Sequence, residues 1–311
     1  MKYIIDSKES INDTLAKCKP GDSIYLKNGI YNEKVEVRID NLTIIGESQN
    51  NTIIANMDYY HKIMPDHNEC NTFRTYTVYV GSNNVNICNL TIKNKSTPSS
   101  IYGQAVALHV QGDNFKCENA SIVSAQDTLF TGPLPDDLCL RHQGFLPNDF
   151  ITGLPSRQKY INCNISGDVD FIFGGATALF EKCKITALRN ENISSNKTFG
   201  YIAAPSHSKD TPYGYLFYNC DITSENENNR IFYARPWRDY GCAAFIECNV
   251  TNDINPSGFN KWNNTTRDKT ARFFEYTENT DLSKREPWVH LLSKDEANQY
   301  VNDFKKYLEN K

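Results

Sequence analysis

The 311-residue sequence lacks several features that would each point to a broad class of protein. It has no Cys-x-x-Cys pair, which disfavours a zinc site, and no Gly-x-Ser-x-Gly motif, which disfavours a serine hydrolase. No apolar stretch approaches the length of a membrane span, so we expect no membrane partner. The 33 basic and 37 acidic residues leave a net charge of −4, which argues against nucleic acid as the main partner.

The first ten residues contain neither the apolar segment nor the cleavage site of a signal peptide. We therefore expect a cytoplasmic protein, or a secreted one if a leader has been removed ahead of Met1. In the cytoplasm the ten cysteines are expected to be free thiols rather than disulfides. The histidines at positions 109, 142 and 207 lack the spacing of metal ligands, so we expect neither a metal nor another cofactor.

Six cysteines share a local setting, at the end of a short β-rich run and just before a polar residue. They are Cys88, Cys117, Cys163, Cys183, Cys220 and Cys248. A recurring unit of strand, turn and strand is typical of stacked coils, because one strand cannot bury its inner face alone. Cysteine is small and apolar, so it suits a ladder that points inward. The repeat therefore favours an all-β parallel β-helix over the alternative, a β-sandwich of short strands.

Two helices are expected to close the ends of the stack. Residues 11–18 carry apolar side chains at helical spacing, and residues 293–296 form a capping box ahead of a one-faced apolar stripe. No linker divides the chain, so we expect one domain over residues 1–311.

The segment 131–157 has four prolines and three glycines, which predicts a long loop without regular structure. That loop is interpreted as a wall of a binding cleft, with a floppy insertion as the alternative.

Asp170 stands out because it is the only charged residue between Val169 and Phe180. A carboxylate in such an apolar run must be paired, hydrogen-bonded or desolvated, which makes it either a catalytic group or a buried structural aspartate. Asp127 is a second candidate, 43 residues earlier. That separation is compatible with adjacent coils and an intervening loop, so both side chains could project from one face.

Four segments together resemble the pectin methylesterase family. They are Gln104–Leu108, Gln126–Leu129, Asp170–Gly174 and Arg235–Trp237. Weaker marks at residues 29–33 and 258–262 agree, and all of them occur in the family's order. The loop at 131–157 resembles an insertion of some bacterial members. One departure is Ser124-Ala125, where the family often has an aromatic residue before Gln-Asp, so a sugar-stacking ring is expected to be missing.

The resemblance implies a right-handed parallel β-helix and hydrolysis of the C6 methyl ester of galacturonate, with release of methanol. Asp170 would be the nucleophile, and Arg235 would lower its pKa through a charge-assisted pair. Asp127 would be the general acid and then the base, so its pKa should be raised. The two aspartates are thus expected to shift in opposite directions.

The remaining site residues are also implied by the resemblance. Gln104 and Gln126 would donate amide hydrogens to the oxyanion of the transition state, a contribution of about 3 kcal/mol for one donor. Trp237 would stack on a sugar ring, and Thr72 would bind substrate. The expected partner is a methyl-esterified galacturonan or oligogalacturonide, bound by a monomer.

Three residues near these motifs are given structural interpretations. Trp262 and Trp288 are expected to be half-buried core aromatics, and Asp168 a partly solvated turn residue.

Alternatives for the whole chain stay open: a polygalacturonase, a pectate lyase, or a carbohydrate-binding β-helix without activity. Polymeric pectin cannot enter a cell, so a cytoplasmic enzyme is expected to act on short imported oligogalacturonides.

Overall fold

The computed structural model of the chain describes residues 1–142, 156–190, 200–225, 230–250, 254–278 and 280–310. The first thirteen strands are β1 (Lys2–Ile5), β2 (Ser23–Leu26), β3 (Gly29–Asn32), β4 (Val35–Val37), β5 (Thr43–Gly46), β6 (Thr52–Asn56), β7 (Val78–Val80), β8 (Asn86–Cys88), β9 (Thr91–Asn94), β10 (Leu108–Val110), β11 (Phe115–Glu118), β12 (Ser121–Val123) and β13 (Leu129–Thr131). The others are β14 (Arg157–Ile161), β15 (Asn164–Gly167), β16 (Val169–Gly174), β17 (Thr177–Glu181), β18 (Lys184–Ala187), β19 (Gly200–Pro205), β20 (Tyr215–Tyr218), β21 (Asp221–Ser224), β22 (Ile231–Ala234), β23 (Cys242–Ile246), β24 (Asn249–Val250), β25 (Arg272–Tyr276) and β26 (His290–Leu291). The helices are α1 (Ile11–Leu15), α2 (Ser99–Tyr102), α3 (Asp136–Arg141) and α4 (Lys294–Glu309), with 3₁₀ turns at Thr72–Arg74 and Arg267–Lys269.

The strands form three parallel sheets that the chain visits in rotation. The first sheet has the order β1-β2-β5-β8-β11-β14-β17-β20-β23-β25-β26. The second runs β24-β21-β18-β15-β12-β9-β6-β3, and the third runs β22-β19-β16-β13-β10-β7-β4. In the middle of the stack each coil contributes one strand to each sheet, and the next coil stacks on it about 4.8 Å away. The predicted parallel β-helix is confirmed.

A left-handed turn residue separates the first sheet from the second in successive coils. These residues are Asn89, Asn119, Asn162, Lys182, Asn219 and Glu247, with φ between 51° and 57°. Asparagine tolerates this conformation better than most residues, which explains why it occupies four of the six positions. The following residue then points into the coil, and this is where the cysteine ladder lies.

The predicted inward ladder is confirmed for four of the six cysteines. Each of these four thiols donates to a main-chain carbonyl in the preceding coil, across 3.2–3.5 Å between sulfur and oxygen. They are Cys163, Cys183, Cys220 and Cys248. Cys117 is also buried, but it precedes its turn and pairs with Tyr160 instead. Cys88 lies opposite Glu118 and is half-buried, because a one-residue difference in register reverses the side of the strand.

The helices occupy different positions relative to the stack. Ile11 and Leu15 of α1 join the interior of the first coil, as expected of an end cap. The capping box at Ser293 and Glu296 starts α4 as predicted. This helix lies along the outer face of the first sheet, where its apolar stripe covers residues such as Leu216, so it does not close the last coil as expected. No described helix is long and apolar enough to cross a bilayer.

The segment after β13 differs from the prediction because it contains regular structure. Pro135 precedes α3, a location where a proline's missing N–H costs no helical hydrogen bond. Leu134 and Leu138 are buried against Phe130 and Phe173 on the outer face of the third sheet. The prediction of a loop without regular structure is therefore wrong at 136–141, and residues 143–155 lie outside the described ranges.

Candidate active site

Asp127 and Asp170 occupy equivalent positions in neighbouring coils of the third sheet. Leu129 pairs with Ile172, and each aspartate lies two residues before its member of that pair. The main-chain N–H of Asp127 donates to the carbonyl of Val169 across 3.1 Å. Parallel strands are about 4.8 Å apart, so the register brings the two carboxyl groups together. The structure thus joins residues that are 43 positions apart in the sequence.

Both aspartates have left-handed backbone conformations, with φ of 63° at Asp127 and 49° at Asp170. The pairing of the third sheet is irregular between Val169 and Ile172, as in a β-bulge. Left-handed φ values are uncommon for residues other than glycine and often occur at functional sites, where a bulge redirects a side chain. Here the same local bend occurs in two adjacent coils.

Arg235 holds Asp170 through a bidentate ion pair. Its Nε donates to Oδ1 across 2.8 Å, and its Nη2 donates to Oδ2 across 2.5 Å. The side chains of Asp170 and Arg235 are only 11% and 15% exposed. The guanidinium carbon also lies 3.8 Å from the ring centre of Tyr201 and 4.0 Å from that of Trp262. Ion pair and cation–π contacts together fix the guanidinium in one orientation.

Burial raises the pKa of both aspartates, but to different extents. The pKa of Asp127 is raised well above its ordinary value by burial and by the nearby charges of Asp170 and Asp168, with Arg235 acting in the opposite direction. Burial also raises the pKa of Asp170, and Arg235 opposes the rise through both its charge and its hydrogen bonds. The expectation of opposite shifts is wrong for Asp170. The expected order remains, since Arg235 favours ionisation of Asp170 before Asp127.

Gln104 and Gln126 lie side by side next to the aspartates, joined by an isolated parallel bridge. The main chain of Gln104 accepts a hydrogen bond from Tyr60, and that of Gln126 accepts one from Ala105. Both residues are half-buried, and neither side-chain amide has a partner within the described part of the chain. The amide hydrogens are therefore available to a bound substrate.

Trp237 and Thr72 lie beside the same face of the third sheet. The ring of Trp237 is half-buried and makes an edge contact with Phe173 at 5.7 Å between centres. Thr72 begins the 3₁₀ turn whose Phe73 contacts Phe130 at 5.3 Å. Both positions are compatible with contact to a chain bound along this face.

A family model described as Pectinesterase matches residues 5–133 and 147–309. The chain belongs to the pectinesterase family. The resemblance seen in the sequence is therefore confirmed over most of its length.

Several curated relatives are plant members of the pectinesterase family. Probable pectinesterase 8 of Arabidopsis thaliana is 30% identical over 289 residues, which cover 90% of this chain and 66% of the relative. Pectinesterase 2 of Citrus sinensis is 29% identical, with 81% and 44% covered. Pectinesterase 31 of Arabidopsis thaliana is 29% identical, with 94% and 86% covered. The chain thus spans about two-thirds of the first relative's length and less than half of the second's.

Solved pectin methylesterases have the same fold. The enzyme from Yersinia enterocolitica superposes with a TM-score of 0.77 at 26% identity, covering 94% of this chain and 96% of that one. A pectin methylesterase in complex with a hexasaccharide gives a TM-score of 0.77 at 25% identity, with 96% and 94% covered. The carrot enzyme, at 20% identity and a TM-score of 0.76, covers 97% of this chain and 95% of its own, and supports the fold alone.

Sequence reasoning missed the contact of Trp262 with Arg235. The prediction of a half-buried core aromatic is correct, because Trp262 packs against the apolar cluster on the outer face of the third sheet, but its ring also lies on the guanidinium of Arg235. Trp262 lies in the segment 258–262, which resembles a motif of the family, and this was the signal that could have pointed to the contact. Tyr201 had no such signal. Trp288 does pack in the core, 5.5 Å from Phe273 between ring centres, as expected.

Asp168 is placed differently from the prediction. It is 3% exposed, so the interpretation as a partly solvated turn residue is wrong. Its Oδ2 shares a hydrogen bond with the hydroxyl of Ser99. Burial raises its pKa, and the hydrogen bond from Ser99 opposes the rise. Among the described residues, three buried carboxyl groups therefore lie close together, and the carboxylate of Asp170 is the one paired with an arginine.

Two histidines, His109 and His207, are buried and have structural roles. His109 is buried among aromatic rings, and burial lowers its pKa to about 3. His207 accepts a hydrogen bond from the main chain of Cys242 and contacts the carbonyl of Ala176, and burial lowers its pKa to about 4. No group of three or more possible metal ligands occurs among the described residues.

Proposed function

We propose that this protein hydrolyses the C6 methyl esters of galacturonate in pectin or in methylated oligogalacturonides, releasing methanol. The observation that carries the proposal is the constellation of Asp127, Asp170, Arg235, Gln104 and Gln126 on one face of the β-helix. Membership of the pectinesterase family supports it, as does a relative of the same fold solved with a hexasaccharide.

In the first half of the proposed reaction, a carboxylate oxygen of Asp170 attacks the ester carbonyl carbon. The carbonyl oxygen becomes negative and accepts hydrogen bonds from the amides of Gln104 and Gln126. The carbon–methoxy bond then breaks, and Asp127 gives its proton to the departing oxygen, so that methanol leaves. The substrate remains joined to Asp170 as an anhydride. Arg235 keeps the nucleophile ionised and oriented.

In the second half, the carboxylate of Asp127 takes a proton from water, whose oxygen attacks the former ester carbonyl. The anhydride bond breaks, Asp170 is restored as a carboxylate, and Asp127 is again protonated. The product is the free galacturonate. One acid and one nucleophile thus return to their starting states without any cofactor.

The test is product analysis with methylated galacturonides of defined length. We expect one methanol for each ester lost, no increase in reducing ends and no unsaturated sugars. New reducing ends would instead indicate a polygalacturonase, and unsaturated products would indicate a lyase. Binding without any product would favour the carbohydrate-binding alternative.

Chain-length preference, location and oligomeric state stay predictions. Action in the cytoplasm would require short substrates, so methylated dimers and trimers are expected to react faster than polymeric pectin. A strong preference for the polymer would contradict that expectation. Sedimentation analysis of the purified chain would test the expected monomer.

A further inference from the structure

Asp168 is a third carboxyl group beside the proposed catalytic pair, and the mechanism above does not use it. The residue is 3% exposed, and its Oδ1 is buried without a hydrogen-bond partner among the described residues. Its Oδ2 has the hydroxyl of Ser99 as a partner. A buried carboxylate with a single neutral partner is costly, so its retention calls for an explanation.

The contacts of Asp168 connect three segments of the site. Its main-chain N–H donates to the carbonyl of Ala125 across 3.1 Å, next to Gln126. Its side chain reaches Ser99, the first residue of α2 and 69 positions earlier in the sequence. Asp170 follows it by two residues, in β16, whereas Asp168 lies in the bend between β15 and β16. The position of this carboxyl group is therefore fixed relative to both aspartates of the pair.

Acidic groups outnumber basic groups around the carboxyl group of Asp168. The carboxyl groups of Asp127 and Asp170 are its ionisable neighbours on the third sheet. Arg235 directs two nitrogens to Asp170, and no described arginine or lysine forms an ion pair with Asp168. From the next coil Tyr201 contributes a phenol whose pKa is raised by burial, so it carries no charge near neutrality. Helix α2 contributes the uncharged Ser99.

We propose that Asp168, held by Ser99, is a positioning residue that places a third carboxyl group beside the pair and thereby keeps Asp127 in its acid form at higher pH. This inference rests on the proposed function. A negative neighbour makes loss of the Asp127 proton less favourable. Removing that neighbour lets Asp127 ionise at lower pH. The general acid is then lost sooner as pH rises.

The experiment compares pH profiles of methanol release for the wild type and Asp168→Asn. Asparagine keeps the shape and can still accept a hydrogen bond from Ser99. We expect the basic limb of kcat to move to lower pH by roughly one unit, a common size for the effect of a nearby charge. The acid limb should move less. An unchanged basic limb in a folded variant would overturn the proposal.

Ser99→Ala provides a second, milder variant. Without the hydroxyl, Asp168 takes up a proton more readily, so the basic limb should move in the same direction by a smaller amount. Ser99→Thr keeps the hydroxyl and should restore the wild-type limb. If Asp168→Asn fails to fold, the comparison of Ser99→Ala with Ser99→Thr tests the proposal instead. An unchanged basic limb of kcat in Ser99→Ala would then overturn it.

A readout without activity separates this inference from the proposed function. The carboxyl carbon of Asp127 can be followed by ¹³C NMR during a pH titration of the wild type and Asp168→Asn. We expect its midpoint to fall in the variant even if no methanol is released by either protein. Equal midpoints would overturn the role of Asp168, and absence of methanol from the wild type would overturn the proposed function alone.

Discussion

At the scale of single residues, Arg235 decides which of two similar carboxyl groups loses its proton first. Asp127 and Asp170 are both buried, so desolvation acts on both in the same direction. Only Asp170 receives the bidentate guanidinium. An acid and a nucleophile can therefore be made from one residue type by a single asymmetric partner.

Replacement of Arg235 by lysine should shift the acid limb of the pH profile. Lysine keeps a positive charge but cannot form two parallel hydrogen bonds, so Asp170 is held less well in its ionised form. Its pKa rises, and the nucleophile is protonated at a higher pH than in the wild type. We expect kcat to fall roughly 10- to 100-fold, the size expected for one lost hydrogen bond to a charged group, with the acid limb moved to higher pH.

Arg157→Lys is the matched control, because Arg157 makes a similar bidentate pair with Asp113 away from the aspartates. That variant should keep the wild-type kcat and profile. If Arg235→Lys left the acid limb unchanged, Arg235 would not be the group that sets the ionisation of Asp170.

Replacement of Asp127 by asparagine should make the protein more stable at pH 8. The folded pKa of Asp127 lies above its unfolded value, so its contribution to stability is present below the unfolded pKa and is lost as pH rises through the folded pKa. We expect a gain of about 1–2 kcal/mol in the free energy of unfolding at pH 8, and little difference near pH 4, where both side chains are neutral. Urea unfolding at both pH values measures this. A gain that is equal at both would contradict the assignment.

At the scale of sequence elements, the cysteine ladder shows what a repeat can reveal. The frame at residues 163, 183, 220 and 248 was readable because one turn geometry recurs, with a left-handed residue and then an inward thiol. Cys88 matched the same pattern of residue types but lies on the other side of its strand. Register is set by pairing between coils, so the sequence of one coil could not distinguish the two cases.

Cys183→Ser should therefore destabilise the protein, whereas Cys88→Ser should not. Cys183 is 1% exposed and donates to the carbonyl of Tyr160. A hydroxyl is costlier to bury than a thiol, so we expect a loss of about 1–3 kcal/mol in unfolding free energy. Cys88 is half-buried, and its variant should stay within about 0.5 kcal/mol of the wild type. Chemical denaturation compares them, and equal losses would contradict the ladder.

Helix α3 connects the segment after β13 to the part of the third sheet's outer face where Trp237 lies. Asp137 accepts two hydrogen bonds from Arg238, whose guanidinium lies 4.7 Å from the ring centre of Trp237. Prolines and glycines in the segment hid this helix from sequence reasoning. Leu138 anchors α3 against Phe130 and Phe173, which are supplied by two neighbouring coils of the third sheet.

Asp137→Asn should weaken substrate binding through this contact. Arg238 would lose the negative charge and one of the two side-chain acceptors of its partner, and would hold the ring of Trp237 less firmly. We expect KM to rise roughly twofold to fivefold with kcat nearly unchanged, because exposed ion pairs contribute up to ~1 kcal/mol. Asp136→Asn is the control, since Asp136 forms no ion pair with a described residue. A KM equal to that of the control would contradict the role given to α3.

At the scale of the whole molecule, the fold and the central site follow from the same property of stacked coils. Repeated strands predicted the β-helix, and the family motifs named the residues that it brings together. Asp168 and Tyr201 could not be found in this way, because their importance depends on contacts with other coils rather than on any local pattern. Placement of α4 was missed for a similar reason, since an apolar stripe does not say which surface it covers.

The central claim is that Asp170 attacks the ester while Asp127 supplies the proton. The most direct measurement is methanol release from a methylated oligogalacturonide by Asp170→Asn, alongside Asp113→Asn as a matched change at another arginine pair. The account predicts that Asp170→Asn folds and releases no methanol above background, whereas Asp113→Asn releases it at the wild-type rate. Turnover by Asp170→Asn at the wild-type rate would contradict the account.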